Sequence, residues 1–205
     1  MNKELLEYTL RLGDNALILG QRLAAEQQGE GFTEDKVAFF RDVFEYHNLL
    51  ILELENGDWG KTICRQFLFD TYNYFLYTDL LQSKDETIKS IAQKAIKEIS
   101  YHAQWSAEWL IRLGDGTQES HTRVQNSLNE LWEWSGEMFS MDAVDEAMLS
   151  AGIGADLNSI KERWHQKVDQ ILDLAKLEKP SGEWMQSGGK QGDHTEYLGL
   201  VLAEM

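Results

Sequence analysis

Apolar positions recur at helical spacing along most of the chain. Leu5, Leu6, Leu12, Ala16, Leu19 and Leu23 mark one face of a first helix, from about Lys3 to Leu23. The polar stretch Gln27 to Gly31 follows. A shorter helix is predicted from near Thr33 through Val37, Phe40 and Phe44 towards Leu50, ahead of the turn signal Asn56-Gly57-Asp58. Between about Lys61 and Leu81 the apolar residues, among them Ile63, Phe67, Leu68, Tyr72 and Leu76, cover nearly every face, which marks a central buried helix.

Ser83-Lys-Asp-Glu86 has the form of a capping box, so a long helix should start there and run to about Leu113, where Gly114-Asp-Gly116 stops it. A helix rich in Trp and Leu is predicted from about Glu119 to Phe139, with lesser helices at Met141 to Ser150 and Asp156 to Leu177. Gly182 to Gly192 reads as a loop, and Thr195 to Met205 as a last helix. A single proline, Pro180, leaves the helices almost uninterrupted. Long amphipathic helices with short connections, one buried on all sides, predict an all-α fold: a ferritin-like helical bundle forming one domain over residues 1–205.

The 42% hydrophobic content, with seven Trp among 205 residues, excludes a disordered chain. The 35 acidic residues against 19 Lys and Arg give a net charge of −16, which repels phosphate backbones and anionic headgroups and so argues against nucleic acid and membrane partners. The densest apolar stretch, Phe67 to Leu81, contains Asp70, Asn73 and Asp79 and is no lipid-spanning segment. Cys64 has no intrachain partner and sits in an apolar context. With no signal sequence in view, a cytoplasmic protein is expected.

Helical bundles that carry out oxygen chemistry hold two metal ions with carboxylates and Glu-x-x-His pairs. The best-placed candidates here are Glu98 and His102 on the long helix, sharing a stripe with Ile91, Ala95 and Trp109, but their spacing is i, i+4 rather than i, i+3. The one true match, Glu162-Arg-Trp-His165, lies in a charged late helix and reads as a solvated face. The central helix offers Asp70 and Asn73 but no His. Asp70, Glu98 and His102 could meet in the bundle interior, as a hydrogen-bonded polar network or as metal ligands; the network is the expectation, because buried polar groups are normally paired. His47 and His121 are expected at the surface. Trp105, Trp109, Trp132 and Trp134 are expected in the core, with some available to a subunit interface. Gly188, Gly189 and Lys190, in Gly188-Gly-Lys-Gln-Gly192, lack P-loop spacing; they form either a helix connection or a loop whose N–H groups contact an anion.

Several segments carry a family resemblance. They are Tyr8-Thr-Leu-Arg-Leu-Gly-Asp-Asn15, Asn48-Leu-Leu-Ile with Glu53 to Trp59, Arg65-Gln-Phe-Leu-Phe-Asp70, Ala95-Ile-Lys-Glu-Ile-Ser-Tyr-His102, Trp109 to Thr117, and Gly188 to Gly199. In this order they closely resemble the PaaC-type subunit of bacterial phenylacetyl-CoA epoxidase. The resemblance implies a ferritin-like, non-catalytic subunit of a monooxygenase that epoxidises the aromatic ring of phenylacetyl-CoA in aerobic phenylacetate breakdown. It implies a PaaA-like catalytic subunit and other epoxidase components as partners, a di-iron centre in that PaaA-like partner, and no metal in this chain. Asp70, Glu98 and His102 would then be the remnant of a metal site, and the loop at Gly188 to Lys190 a possible contact for CoA. A self-sufficient di-iron oxidase, or a helical interaction module unrelated to oxygen chemistry, are the competing expectations.

The chain departs from that family in two places. Family members carry a further helix between the segments matching Gln21-Arg-Leu23 and Ala24-Ala-Glu26, and they continue the last helix past Ala203-Glu-Met205. Losing one helix of a four-helix core exposes a large apolar face. Either residues of the full protein are missing from this sequence between Leu23 and Ala24, or a partner completes the bundle.

Overall fold

A computed structural model describes Leu5, Tyr8 and residues 43–204. The first expected helix, most of the second and the Leu23–Ala24 junction lie outside the described residues.

The central helix, α1 (Trp59–Leu80), begins where Asp58 accepts the Lys61 N–H at 2.9 Å. That N–H bond, reinforced by Arg123 at 3.0 Å, holds the Asp58 carboxyl below the usual carboxylate range. Ile63, Cys64, Phe67 and Leu68 are completely buried, as expected of a helix apolar on nearly all faces. The next helix, α2 (Glu86–Gly114), starts two residues later in the Ser83–Glu86 segment than the capping-box reading has it. Asp85 is the cap, taking the N–H groups of Thr87 (2.9 Å) and Ile88 (3.0 Å), while Ser83 accepts from the Asp85 N–H at 3.2 Å. A carboxylate at a helix N-terminus outcompetes a hydroxyl because it also meets the positive end of the helix dipole.

Gly114 ends α2 where a Cβ would stand 2.4 Å from the carbonyl oxygen of Ala175, so that close approach needs glycine there. Helix α3 (Gln118–Leu131) is capped by Thr117. The expected continuation to Phe139 breaks into two 3-10 turns, Trp132–Trp134 and Gly136–Phe139. Ser135 turns its hydroxyl back to the Trp132 carbonyl at 2.7 Å, and Met185 packs into the space that a Cβ on Gly136 would fill. Helix α4 (Ala143–Ser150) opens on a capping box formed by Asp142 and Asp145. Helix α5 (Leu157–Ala175) ends on Lys176 in the left-handed region, φ 57°, and α6 (Glu196–Glu204) closes the described chain. The short helix expected to reach Leu50 is, from Val43 onward, only two 3-10 turns, Val43–Glu45 and Leu50–Leu52.

Helix α1 packs against α2, α3 and α5, and α2 also meets α3 and α5. Trp164, fully buried on α5, donates its indole N–H to the Leu68 carbonyl at 2.9 Å and so ties α5 to the middle of α1. Trp132 is buried as expected; Trp105, Trp109 and Trp134 are half-buried against the core. Among the described residues there is no strand, and no helix is long and apolar enough to cross a membrane. The all-α bundle read from the periodicity is the architecture observed.

Candidate functional site

Two polar clusters stand out against this apolar frame. The first lies between α1 and α2. At roughly 100° per residue, Trp59, Gln66, Asp70 and Asn73 share one flank of α1. Ile91, Glu98, His102, Trp105 and Trp109 likewise share one flank of α2, roughly 60–120° from the buried line of Ile88, Ala92, Ile99 and Leu110. Asp70 is buried; its Oδ1 accepts from Gln66 Nε2 at 2.6 Å, and among the described residues its Oδ2 has no well-formed hydrogen bond. The Ser106 hydroxyl stands close enough to steady the ionised carboxyl, and it also donates to the carbonyl of His102 at 2.9 Å. Burial dominates and pushes the Asp70 carboxyl up, with Ser106, Gln66 and His102 opposing it.

The expected trio is therefore not enclosed in the interior. Glu98 and His102 pair at 3.7 Å with side chains 73% and 48% exposed, because their positions sit on the flank of α2 rather than on its buried line. Only Asp70 of the three is buried, and His102 reaches it through its charge rather than through a hydrogen bond. A di-iron centre needs several carboxylates and two imidazoles converging on one point. Among the described residues no three His, Cys, Asp or Glu side chains converge, so this donor set does not fit a di-iron centre. Glu162 is exposed and His165 half-buried; the imidazole rests against Trp164 at 5.0 Å and close to Trp132 and Phe139.

The second cluster surrounds the Gly-rich loop. Gly188 (φ 127°) and Gly192 (φ 90°) supply backbone conformations that side chains rarely adopt, and a Cβ on Gly189 would lie 2.2 Å from the Asn48 carbonyl oxygen. The loop thus lies directly on the 48–53 segment. Glu137, buried, receives on Oε1 the N–H groups of Gly188 (2.9 Å), Gly189 (2.7 Å) and, more weakly, Lys190 (3.4 Å). Its Oε2 receives the Leu50 N–H at 2.9 Å. Lys190 buries its ammonium against Asp145 Oδ2 (3.0 Å) and the Ser140 carbonyl (2.8 Å). His47, exposed as expected, donates from Nδ1 to the Lys190 carbonyl at 3.0 Å, and His121, half-buried, donates from Nδ1 to the Gly114 carbonyl at 2.7 Å.

The other end of the loop is held in the same manner. Glu53, buried, receives Asn48 Nδ2 and the His194 ring on Oε1, each at 2.7 Å, and Thr195 N–H (2.7 Å) and Oγ1–H (2.8 Å) on Oε2. The Gly188–Lys190 loop does cradle an anion, and the anion is the protein's own Glu137. Its three N–H groups and the Lys190 ammonium are all engaged within the chain. Glu53, Glu137, Asp145 and His194 escape the sequence reading as a cluster. Glu53 and His194 lie in segments that carry the resemblance, whereas Glu137 sits in a broken helix where periodicity gives no cue.

A family model described as phenylacetic acid catabolic protein matches residues 22–205. The chain is 38% identical over 235 residues to the C subunit of the 1,2-phenylacetyl-CoA epoxidase of Escherichia coli (strain K12), covering 98% of this chain and 94% of that protein. An alignment of 235 positions exceeds the 205 residues of the chain by 30, so at least that many positions of the relative have no counterpart here, and they fall inside the aligned span.

Proposed function

The chain belongs to the phenylacetic acid catabolic protein family, and from that premise we propose that it is a non-catalytic, structural subunit of a cytoplasmic di-iron monooxygenase that epoxidises the aromatic ring of phenylacetyl-CoA. In this reading it pairs with a PaaA-like catalytic subunit, which holds the iron, and works alongside the other epoxidase components. Its own bundle serves as a rigid wall against which the catalytic bundle is held, since a catalytic constellation keeps its geometry only when its supporting shell is fixed. The observation that carries the reading is the donor set between α1 and α2. One carboxylate, Asp70, is buried there and bonded to Gln66, while Glu98 and His102 face outward. Likeness along nearly the whole chain to one named subunit of an epoxidase supports the assignment to such an assembly.

The test is reconstitution. Purified alone, the chain should carry no stoichiometric iron and turn over no phenylacetyl-CoA; co-expressed with a PaaA-like subunit it should co-purify, and ring epoxidation should disappear when it is withheld. Near-stoichiometric iron with oxygen-dependent turnover by the chain alone would overturn the proposal, as would full epoxidation in its absence.

A further inference from the structure

His194 occupies a site with an acceptor at each end of its ring. Nδ1 lies 2.7 Å from Glu53 Oε1 and Nε2 lies 3.0 Å from the Tyr46 carbonyl oxygen, and the side chains of His194 and Glu53 are only 4% and 1% exposed. An imidazole nitrogen makes one in-plane hydrogen bond, as a donor when protonated and as an acceptor when not. A carbonyl oxygen can only accept, so Nε2 carries a proton. Each oxygen of Glu53 already receives another donor, Asn48 Nδ2 on Oε1 and the Thr195 N–H on Oε2, so the carboxylate also stands as an acceptor and Nδ1 carries a proton too.

A neutral ring cannot serve both acceptors. With one proton it turns a nitrogen lone pair toward either the carboxylate or the carbonyl, in a site nearly closed to water, and one bond is lost. The other titratable side chains on the segments that meet here are Glu45, Tyr46 and His47 on one side and Asp193, Glu196 and Tyr197 on the other. Lys190 turns its ammonium to Asp145, and Glu137 its carboxylate to the N–H groups of Leu50 and the loop. His47 bonds the Lys190 carbonyl through Nδ1 alone, for which a neutral ring suffices.

We infer that His194 is a proton-operated clasp: as an imidazolium it fastens the end of the Gly-rich loop and the start of α6 to residues 46–53, and loss of one ring proton to solvent unfastens them. The position suits the task. Thr195, next in the chain, sits on the same carboxylate through its N–H and hydroxyl, and α6, which begins at Glu196, packs on the Val43–Glu45 turn just ahead of Tyr46. The inference concerns groups within this chain and does not require the assembly proposed above.

The experiment uses the full chain labelled with 15N in its five histidines. Long-range 1H–15N correlation spectra, which separate an imidazolium from either neutral tautomer, are recorded from pH 6 to 10. Single His→Gln variants assign the signals, and the other four suffice by elimination if His194→Gln does not fold. Hydrogen exchange of peptides covering residues 188–204, corrected for intrinsic rates, is followed over the same range with peptides of α1 as the control. His194 should hold both ring protons at pH 6, and protection of 188–204 should fall about tenfold or more in step with loss of the second one, while α1 keeps its protection. His194→Gln should leave 188–204 equally unprotected at both ends of the range. A neutral ring at pH 6 would overturn the inference, as would protection that is unchanged while the ring loses its proton, or a wild-type pH dependence in His194→Gln. So would a ring that keeps both protons throughout, since nothing would then operate the clasp.

Discussion

The Gly188–Lys190 turn of the Gly-rich loop gathers its N–H groups on one carboxylate, so truncating Glu137 should cost more than removing an average core residue. Three of its bonds are well formed, to Leu50, Gly188 and Gly189, at 2.7–2.9 Å, and the fourth, to Lys190, is weak at 3.4 Å. A hydrogen bond to a charged group contributes about 1.5–3 kcal/mol net, and water entering the vacated space recovers part of it. Glu137→Ala should therefore destabilise the chain by about 4 kcal/mol. Glu137→Gln keeps an acceptor on the loop side but turns an NH2 toward the Leu50 N–H, so one donor loses its partner and the charge is gone, at about 2 kcal/mol. In urea, with a slope near 2 kcal/mol per M, the midpoints should fall by about 2 M and about 1 M respectively. Limited proteolysis should show new cleavage within residues 182–192 in Glu137→Ala, because the loop's N–H groups have lost their anchor. Losses below about 1 kcal/mol in both variants would refute the argument, as would Gln costing as much as Ala.

The buried Lys190–Asp145 pair predicts that Lys190→Met destabilises by about 3–5 kcal/mol, since the substitution takes a buried ammonium away from a desolvated carboxylate, and a urea melt measures this. Asp70→Asn should raise stability at pH 7 by about 1 kcal/mol. Burial lifts the Asp70 pKa above its unfolded value, so the native chain holds a proton that the unfolded chain has lost, and stability declines as pH rises from about 4 through the native pKa; melts across pH 3–8 should show that decline flattened in the variant. His165 behaves in the opposite sense: burial, then the neighbouring Lys179, lower its pKa, with Asp169 opposing and Lys161 assisting, so stability is complete above about pH 6.5 and falls as pH drops below it. His165→Leu should remove that acid-side loss in melts from pH 7 to 5. Burial pushes the Cys64 thiol far up, so a disulfide-forming reagent should label it only at the rate of unfolding, and fast labelling of the native chain would contradict its placement.

Much of the fold was legible because it rests on periodicity. The nearly all-round apolar run after Lys61 became α1, and Gly114 closed α2 where the chain signals a stop. Legibility ended where side chains override local preference. Trp132 to Phe139 continues a helical pattern, but Ser135 bonds backward and Glu137 is drawn inward to four N–H groups, all of them on residues more than fifty positions away. Nothing local encodes that attraction. Glu98 and His102 show the limit in another form: their spacing places them on one stripe, as read, but only packing decides that the stripe is a flank half open to solvent rather than the buried line beside it.

Glu53, Glu137 and Asp70 are all buried carboxylates, but they are satisfied to different degrees. Glu53 and Glu137 each gather four hydrogen bonds, mostly from segments distant in sequence, so each carboxylate closes a loop against the bundle and leaves no buried oxygen unmet. Asp70 has Gln66 from its own helix, one turn away, and the nearby Ser106 hydroxyl, and among the described residues its Oδ2 has no well-formed bond. If Asp70 served only the folded stability of this chain, a residue without an unsatisfied oxygen would serve better, because the orphaned acceptor alone costs about 1–3 kcal/mol.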